Sequence, residues 1–268
     1  MPLLNYNDVI CTNDDLLYAA GNRAFRSGEG LIETMLWQKK AVRLYERHIQ
    51  RLAHSLSALG FAPFPGTQLQ AAVAKVILAN QEPETGMVRA QFFRNSEKSQ
   101  LDYMIEFLPL AAPSGNWPEQ GLTIGTCNTI VKSADSIASL KTTSRLPYIV
   151  AAQEAQDKGW DDTLLCNQHG RIAESTICNV FMISGDKIYT PPVSEGCIAG
   201  IMRGYLLDQG TVAGLEIKEA PVTENDLDTA DEIFLTNAIR GLQPVAVYNG
   251  KSYDSSRSRK IFDFISTL

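Results

Sequence analysis

The chain has little of what a metal centre or a disulfide framework needs. Its 268 residues include three histidines, of which His48 and His54 fall six apart on one expected helix and His169 falls in a turn. None has a partner at ligand spacing, so they read as structural or exposed, and no metal is expected. The five cysteines, Cys11, Cys127, Cys166, Cys178 and Cys197, are odd in number and lack any C-x-x-C pair. That pattern fits small buried hydrophobes in a reducing compartment. No apolar run approaches a membrane span, and the opening M-P-L-L-N-Y-N-D lacks the basic and apolar parts of a signal peptide, so a cytoplasmic protein without membrane contact is expected. Basic excess is missing too: 24 Lys and Arg stand against 30 Asp and Glu, a net charge of −6. This argues against nucleic acid as a partner and suits an enzyme of small metabolites. There are no internal repeats and no low-complexity segments.

What is present is an ordinary globular composition, 44% apolar and 20% charged, long enough for one large or two medium domains. The Pro-, Gly- and polar-rich stretch from Ala111 to Gln120 marks a break. It gives a small α+β domain over 1–112, a linker over 113–120 and a larger domain over 121–268 that carries Lys141. Residues 1–30 read as irregular, with short strands at best. Leu31–Trp37 and Ala41–Leu44 read as a hairpin, Tyr45–Leu59 and Thr67–Leu78 as helices, and Met87–Phe93 and Tyr103–Leu108 as strands. In the second half, strands are expected at Leu122–Cys127, Thr163–Asn167, Asn179–Ser184, Lys187–Thr190, Leu215–Ala220, Glu232–Thr236 and Val245–Tyr248. Helices are expected after Lys141, at Gly200–Gln209 and from about Ser256. A cleft between two such domains is a usual place for a cofactor.

Lys141 is the centre of the reading. The run Ile137-Ala-Ser-Leu140 delivers it into Thr142-Thr-Ser144, and an amphipathic run begins directly after. A lysine at the end of a strand or loop can be partly buried, which lowers its pKa and supplies the neutral amine that attacks an aldehyde. Two later segments complement it. Gly170-Arg-Ile-Ala-Glu174 sets one carboxylate between a turn and an apolar strand, and Gly196-Cys-Ile-Ala-Gly-Ile-Met-Arg203 is a glycine-bearing turn opening a helix. A reactive lysine, an acid for a ring nitrogen and a helix N-terminus for a phosphate are what pyridoxal phosphate requires of a protein.

With G-E-G-L-I-E-T, E-R-H-I-Q-R-L, S-L-K, R-I-A-E-S-T-I-C-N-V-F, G-I-M-R and T-A-D-E-I-F-L-T-N in that order, the chain from about Phe25 to Val247 resembles the class IV aminotransferase family. These are the fold-type IV pyridoxal-phosphate enzymes. The resemblance implies a two-domain α+β fold like that of D-amino acid aminotransferases, with a mixed, β-barrel-like sheet in the larger domain, and a homodimer whose subunits share the active site. It implies that Lys141 carries the cofactor and moves the proton, that Glu174 supports the ring nitrogen, and that Ile198 packs on the ring. Arg51, the helix start at Ile201 and Met202, and the turn at Asn237 and Ala238 would hold the phosphate, with Met202 and Ala238 standing where many members have threonine. Asn179 would orient nearby groups. Arg26 and Arg89 rank first to hold a substrate carboxylate, with Arg26 able to act across the interface, followed by Arg94, Arg145 and Arg240.

Three functions stay open on this resemblance. The first is amino transfer between an amino acid and a 2-oxo acid. Phe93-Arg-Asn-Ser-Glu-Lys98 departs from the R-G-T-S-like turn of D-specific enzymes, and Leu146 replaces a tyrosine of branched-chain ones. The second is cleavage of 4-amino-4-deoxychorismate to pyruvate and p-aminobenzoate, suggested by Ser144-Arg-Leu146, Gly200-Ile-Met-Arg203 and Leu235-Thr-Asn-Ala238. Against it, Asn95-Ser-Glu-Lys98 stands where those lyases often have a Gly/Arg-rich turn, and Glu33-Thr34 occurs in both groups. The third is a non-catalytic cofactor-binding protein.

Overall fold

Alternating side chains along Gly30–Gln38 set one face of a strand inward, and the sheet of the first unit is built around it. The computed structural model describes residues 2–12, 22–94, 101–110 and 116–268. Residues 113–115 of the expected linker 113–120, residues 13–21 of the irregular N-terminal segment and the turn Asn95–Lys98 lie outside the described residues.

Two compact units emerge: Met1–Ser114 with Leu140–Ser144, and Gly115–Ser139 with Arg145–Leu268. The first holds strands β1 (Leu4–Tyr6), β2 (Val9–Cys11), β3 (Gly30–Gln38), β4 (Ala41–Val42), β5 (Gly86–Arg94) and β6 (Leu101–Pro109). They form one antiparallel sheet in the order β2-β1-β6-β5-β3-β4. Its helices are α1 (Arg23–Ser27), α2 (Tyr45–Ala58) and α3 (Gly66–Ala79). Leu52 and Leu56 of α2 and Leu69, Val73 and Val76 of α3 bury their apolar stripes against Leu31, Met35, Val88, Phe92 and Ile105 of the sheet. α2 stops before Gly60, whose φ of 62° ends the helix.

The Lys141 segment, expected within 121–268, groups with the first unit. It lies along β3: the Ile32 N–H donates to the Lys141 carbonyl at 2.9 Å and the Thr143 N–H to the Gly30 carbonyl at 2.9 Å, around an antiparallel bridge between Leu31 and Thr142. β4 covers only the Trp37–Gln38 end of that β3 edge, so the other end takes up 140–144. Gly30 is needed for the approach, because a Cβ there would meet Thr143 Oγ1 at 2.9 Å and the Phe92 carbonyl at 3.0 Å.

The second unit comprises β7 (Leu122–Lys132), β8 (Asp162–Asn167), β9 (Ile172–Ser175), β10 (Asn179–Ser184), β11 (Lys187–Thr190), β12 (Thr211–Val212), β13 (Leu215–Glu219), β14 (Glu232–Asn237), β15 (Gly241–Tyr248) and β16 (Lys251–Ser252). Its helices are α4 (Leu146–Asp157), α5 (Ile201–Gln209), α6 (Glu224–Thr229) and α7 (Ser256–Ile265). The sheet runs β12-β13-β11-β10-β14-β15-β7-β8-β9, with β16 on β15. It is mixed: β11/β13, β15/β7 and β7/β8 are parallel and the other pairs antiparallel. α4 is the crossover between parallel β7 and β8, and its Ala151 packs with Cys127 and Leu165. The expected strand at Leu122–Cys127 runs on to Lys132 through a register shift against β8. The carboxylates from Glu224 open α6, where Thr223 and Asp226 form a capping box. No helix among the described residues is long and apolar enough to cross a membrane.

Candidate active site

In the first unit, strand alternation turns Glu33 to the same side as Leu31 and Met35, where it is buried. Helix α2 meets it with His48 and Arg51, three residues apart and so on one face. His48 Nδ1 lies 2.6 Å from Glu33 Oε2, Arg51 Nη2 donates to the same oxygen at 2.6 Å, and Arg51 Nε donates to Oε1 at 2.8 Å. Burial alone would raise the Glu33 pKa, but the Arg51 charge and the hydrogen bonds from His48 and Arg51 reverse this and hold it at about 2. An ionised carboxylate only accepts, so His48 donates from Nδ1. Burial lowers the His48 pKa, and the charges of Arg51 and Lys141 act in the same direction. The hydrogen bond to Glu33 and the Glu33 charge oppose that lowering, and His48 Nε2 is buried without a partner among the described residues. Lys141 itself is half-buried, beside buried Leu140.

In the second unit, Glu174 lies within β9 rather than ahead of a strand, and it is 3% exposed. Its Oε1 accepts from the Tyr148 hydroxyl at 2.7 Å and lies 3.3 Å from Lys132 Nζ. Its Oε2 accepts from the Ile198 N–H at 3.0 Å. Burial, then the Glu174 charge, raises the Tyr148 pKa, so the phenol keeps its proton. Buried Ile198 is fixed from its other side, as Asn179 Nδ2 donates to its carbonyl at 2.9 Å. Gly200 follows, and a Cβ there would sit 1.8 Å from Asn179 Oδ1. Gly200 caps α5 without a side-chain hydrogen bond, which leaves the first-turn N–H groups at buried Ile201 and Met202 to another acceptor. Asn237 Oδ1 accepts from the N–H groups of Ile239 and Arg240 at 3.0 and 2.7 Å, shaping the turn that holds half-buried Ala238. Cys197 is buried, which pushes its thiol up to about 12 and makes it inert at neutral pH.

The carboxylate-holding candidates differ in their surroundings. Arg26 is exposed in the last turn of α1. Arg89 lies across from Glu106 in the β5–β6 register, at 3.5 Å. Arg94 donates to Glu29 at 2.9 Å, and Arg240 is exposed. Arg145, at the start of α4, stacks on the Tyr148 ring 3.7 Å from its centroid and donates through Nη2 to the Thr176 carbonyl at 2.9 Å.

Sequence reasoning missed Glu33, His48, Lys132 and Tyr148 as members of these clusters. A charged residue in the inward register of an alternating strand was the available signal for Glu33, and the His48/Arg51 spacing for its partners. Nothing local marked Lys132 and Tyr148, which reach Glu174 only through the crossover.

Each unit by itself offers residues that fit part of pyridoxal phosphate. In the second, a buried carboxylate held by three donors suits the ring nitrogen and an uncapped helix start where only glycine fits suits the phosphate; in the first, Lys141 suits the aldehyde. Fold and residues thus define a pyridoxal-phosphate enzyme. Residues 30–248 match the family described as Amino-transferase class IV, and the chain belongs to it. Aminodeoxychorismate lyase from Vibrio harveyi is 25% identical over 236 residues, 84% of this chain and 85% of that protein. The 4-amino-4-deoxychorismate lyase structure from Pseudomonas aeruginosa superposes with a TM-score of 0.86 at 24% identity, over 99% of this chain and 98% of that one. A hypothetical aminotransferase from Mycobacterium tuberculosis in its PLP-bound form gives 0.87 at 19% identity, over 99% and 97%.

Proposed function

We propose that this enzyme is a lyase that splits 4-amino-4-deoxychorismate into pyruvate and p-aminobenzoate. The observation that carries this reading is the similarity to the Vibrio harveyi lyase along most of both chains, and it reverses the order in which the sequence ranks the two activities. The Ser144-Arg-Leu146, Gly200-Ile-Met-Arg203 and Leu235-Thr-Asn-Ala238 segments support it.

When bound, pyridoxal phosphate supplies an aldehyde and a ring that draws electrons from the carbon bearing the substrate amine. Lys141 would hold the aldehyde and, with its amine free, would take the proton from the amine-bearing ring carbon of the substrate as the neighbouring C–O bond to the enolpyruvyl group breaks, then give a proton to the released enolpyruvate, leaving pyruvate and an aromatic ring. Glu174, oriented by Tyr148 and the Ile198 N–H, would take the ring nitrogen, and Ile198 would pack on the ring. Arg51 offers the phosphate a guanidinium that Glu33 holds in orientation, and the N–H groups at Ile201 and Met202 and the Asn237–Ala238 turn complete that end. We infer that the enzyme works as a homodimer with a shared site. Exposed apolar Leu146 and Ile149, one turn apart on α4, support a face for a second copy.

Loaded with pyridoxal phosphate and given 4-amino-4-deoxychorismate alone, the protein should release pyruvate and p-aminobenzoate in equal amounts with no 2-oxo acid added. Lys141→Ala should abolish both products. Conversion of the cofactor to its pyridoxamine form by D- or L-amino acids, with 4-amino-4-deoxychorismate left intact, would make the enzyme an aminotransferase. Failure to bind the cofactor would leave a non-catalytic protein.

A further inference from the structure

Arg145 is the one sequence candidate for anion binding that is held in place, poorly exposed and without a carboxylate partner among the described residues. Arg89, Arg94 and Arg203 each meet a glutamate. Arg26 and Arg240 lie in solvent. Arg145 instead stacks on Tyr148, whose hydroxyl is tied to Glu174. Its Nη2 is bound to the Thr176 carbonyl, and Thr176 is itself anchored, its hydroxyl and N–H donating to buried Asp162 at 2.6 and 3.2 Å. Its Nη1 is buried and donates to nothing described. Guanidinium cannot shed its charge, and a buried donor without an acceptor costs about 1–3 kcal/mol.

We propose that Arg145 is the anion-holding residue at the Glu174 end of the site, its Nη1 donating to an anionic oxygen of the bound ligand. This rests on the reading that Glu174 receives the cofactor ring. The fixed stack on Tyr148 and the Nη2 bond to the Thr176 carbonyl aim Nη1, which is the arrangement for selecting an oxygen by position rather than by charge alone. Such an oxygen belongs either to a carboxylate of the substrate or to the hydroxyl on the cofactor ring. The two are separable.

The test uses the enzyme loaded with pyridoxal phosphate, as wild type, Arg145→Gln and Arg145→Lys, with melting temperatures measured alongside. Dissociation constants are taken by calorimetry for 4-aminobenzoate and its neutral analogue 4-aminobenzamide, and the visible band is titrated with pH in the absence of either. A substrate-side role predicts that wild type prefers the carboxylate by roughly 10- to 100-fold, that Arg145→Gln loses this preference with an unchanged spectral titration, and that Arg145→Lys restores part of it. A ring-side role predicts a shifted spectral titration in Arg145→Gln with the carboxylate preference intact. If neither quantity moves in a folded Arg145→Gln protein, the inference is wrong. Absence of 4-amino-4-deoxychorismate turnover by wild type would remove the lyase reading instead, and the spectral arm would still decide the arginine.

Discussion

A glutamate in the inward register of a strand must bring its own counter-charge, and Glu33 shows what that does to titration. Its folded pKa is held at about 2, against 4.5 for the ordinary side chain. A depressed carboxylate stabilises the fold fully above its unfolded pKa and loses that contribution as pH falls from about 4.5 toward 2. His48, lowered by burial, acts in the same direction from its ordinary 6.5 downward, with the charges of Arg51 and Lys141 opposing its protonation. Glu33→Gln should therefore lower stability by about 3 kcal/mol at pH 7, and its deficit relative to wild type should shrink on acidification. Urea unfolding midpoints at pH 7, 5 and 3.5 check this. A deficit that is constant with pH would show that the carboxylate acts through packing alone. Of this cluster the sequence singled out only Arg51, as a phosphate ligand, because its motif is local, whereas the pairing with Glu33 that orients it spans two elements.

The elements that read clearly from sequence are those whose two faces differ. α2, α3 and α7 carry one apolar stripe, and β5 and β6 were placed to within two residues at each end. β9 was missed because all four of its residues are buried, so no alternation marks it, and Glu174 consequently looked like a pre-strand residue. β7 was cut short at Cys127 because its register shift breaks the pattern. The largest miss is the addition of 140–144 to β3, since residues more than a hundred apart meet there and no periodicity announces it. That strand addition depends on Gly30. Gly30→Ala should push Thr143 away at a cost of about 1–3 kcal/mol. It should speed amide hydrogen exchange at Ile32 and Thr143 by tenfold or more, roughly the factor that 1.4 kcal/mol represents. Unchanged protection at both amides would mean that the lysine segment is held by other contacts.

At the scale of the molecule, the sequence carried the family and the cofactor because both follow from ordered short motifs. Its preference among reactions was weaker, since the resemblance implies the same lysine, carboxylate and phosphate anchors for amino transfer and for lyase cleavage. What remains to be explained at this scale is the apolar start of α4. Leu146 and Ile149 are 68% and 62% exposed, although Ala151 and Ala155 of the same helix are buried on β7 and β8. A helix that is apolar on both sides has use for a second covering surface, and a symmetric copy supplies one by meeting its own counterpart. The proposed homodimer would bury these side chains, and replacing them with charges would set like charges against each other across the axis. Leu146→Glu with Ile149→Glu should thus convert a species of about twice 29.5 kDa to one of single-chain mass in sedimentation velocity, with helix content by circular dichroism retained. A wild-type protein that sediments as a monomer, or a charged variant that stays dimeric, would move the interface off α4.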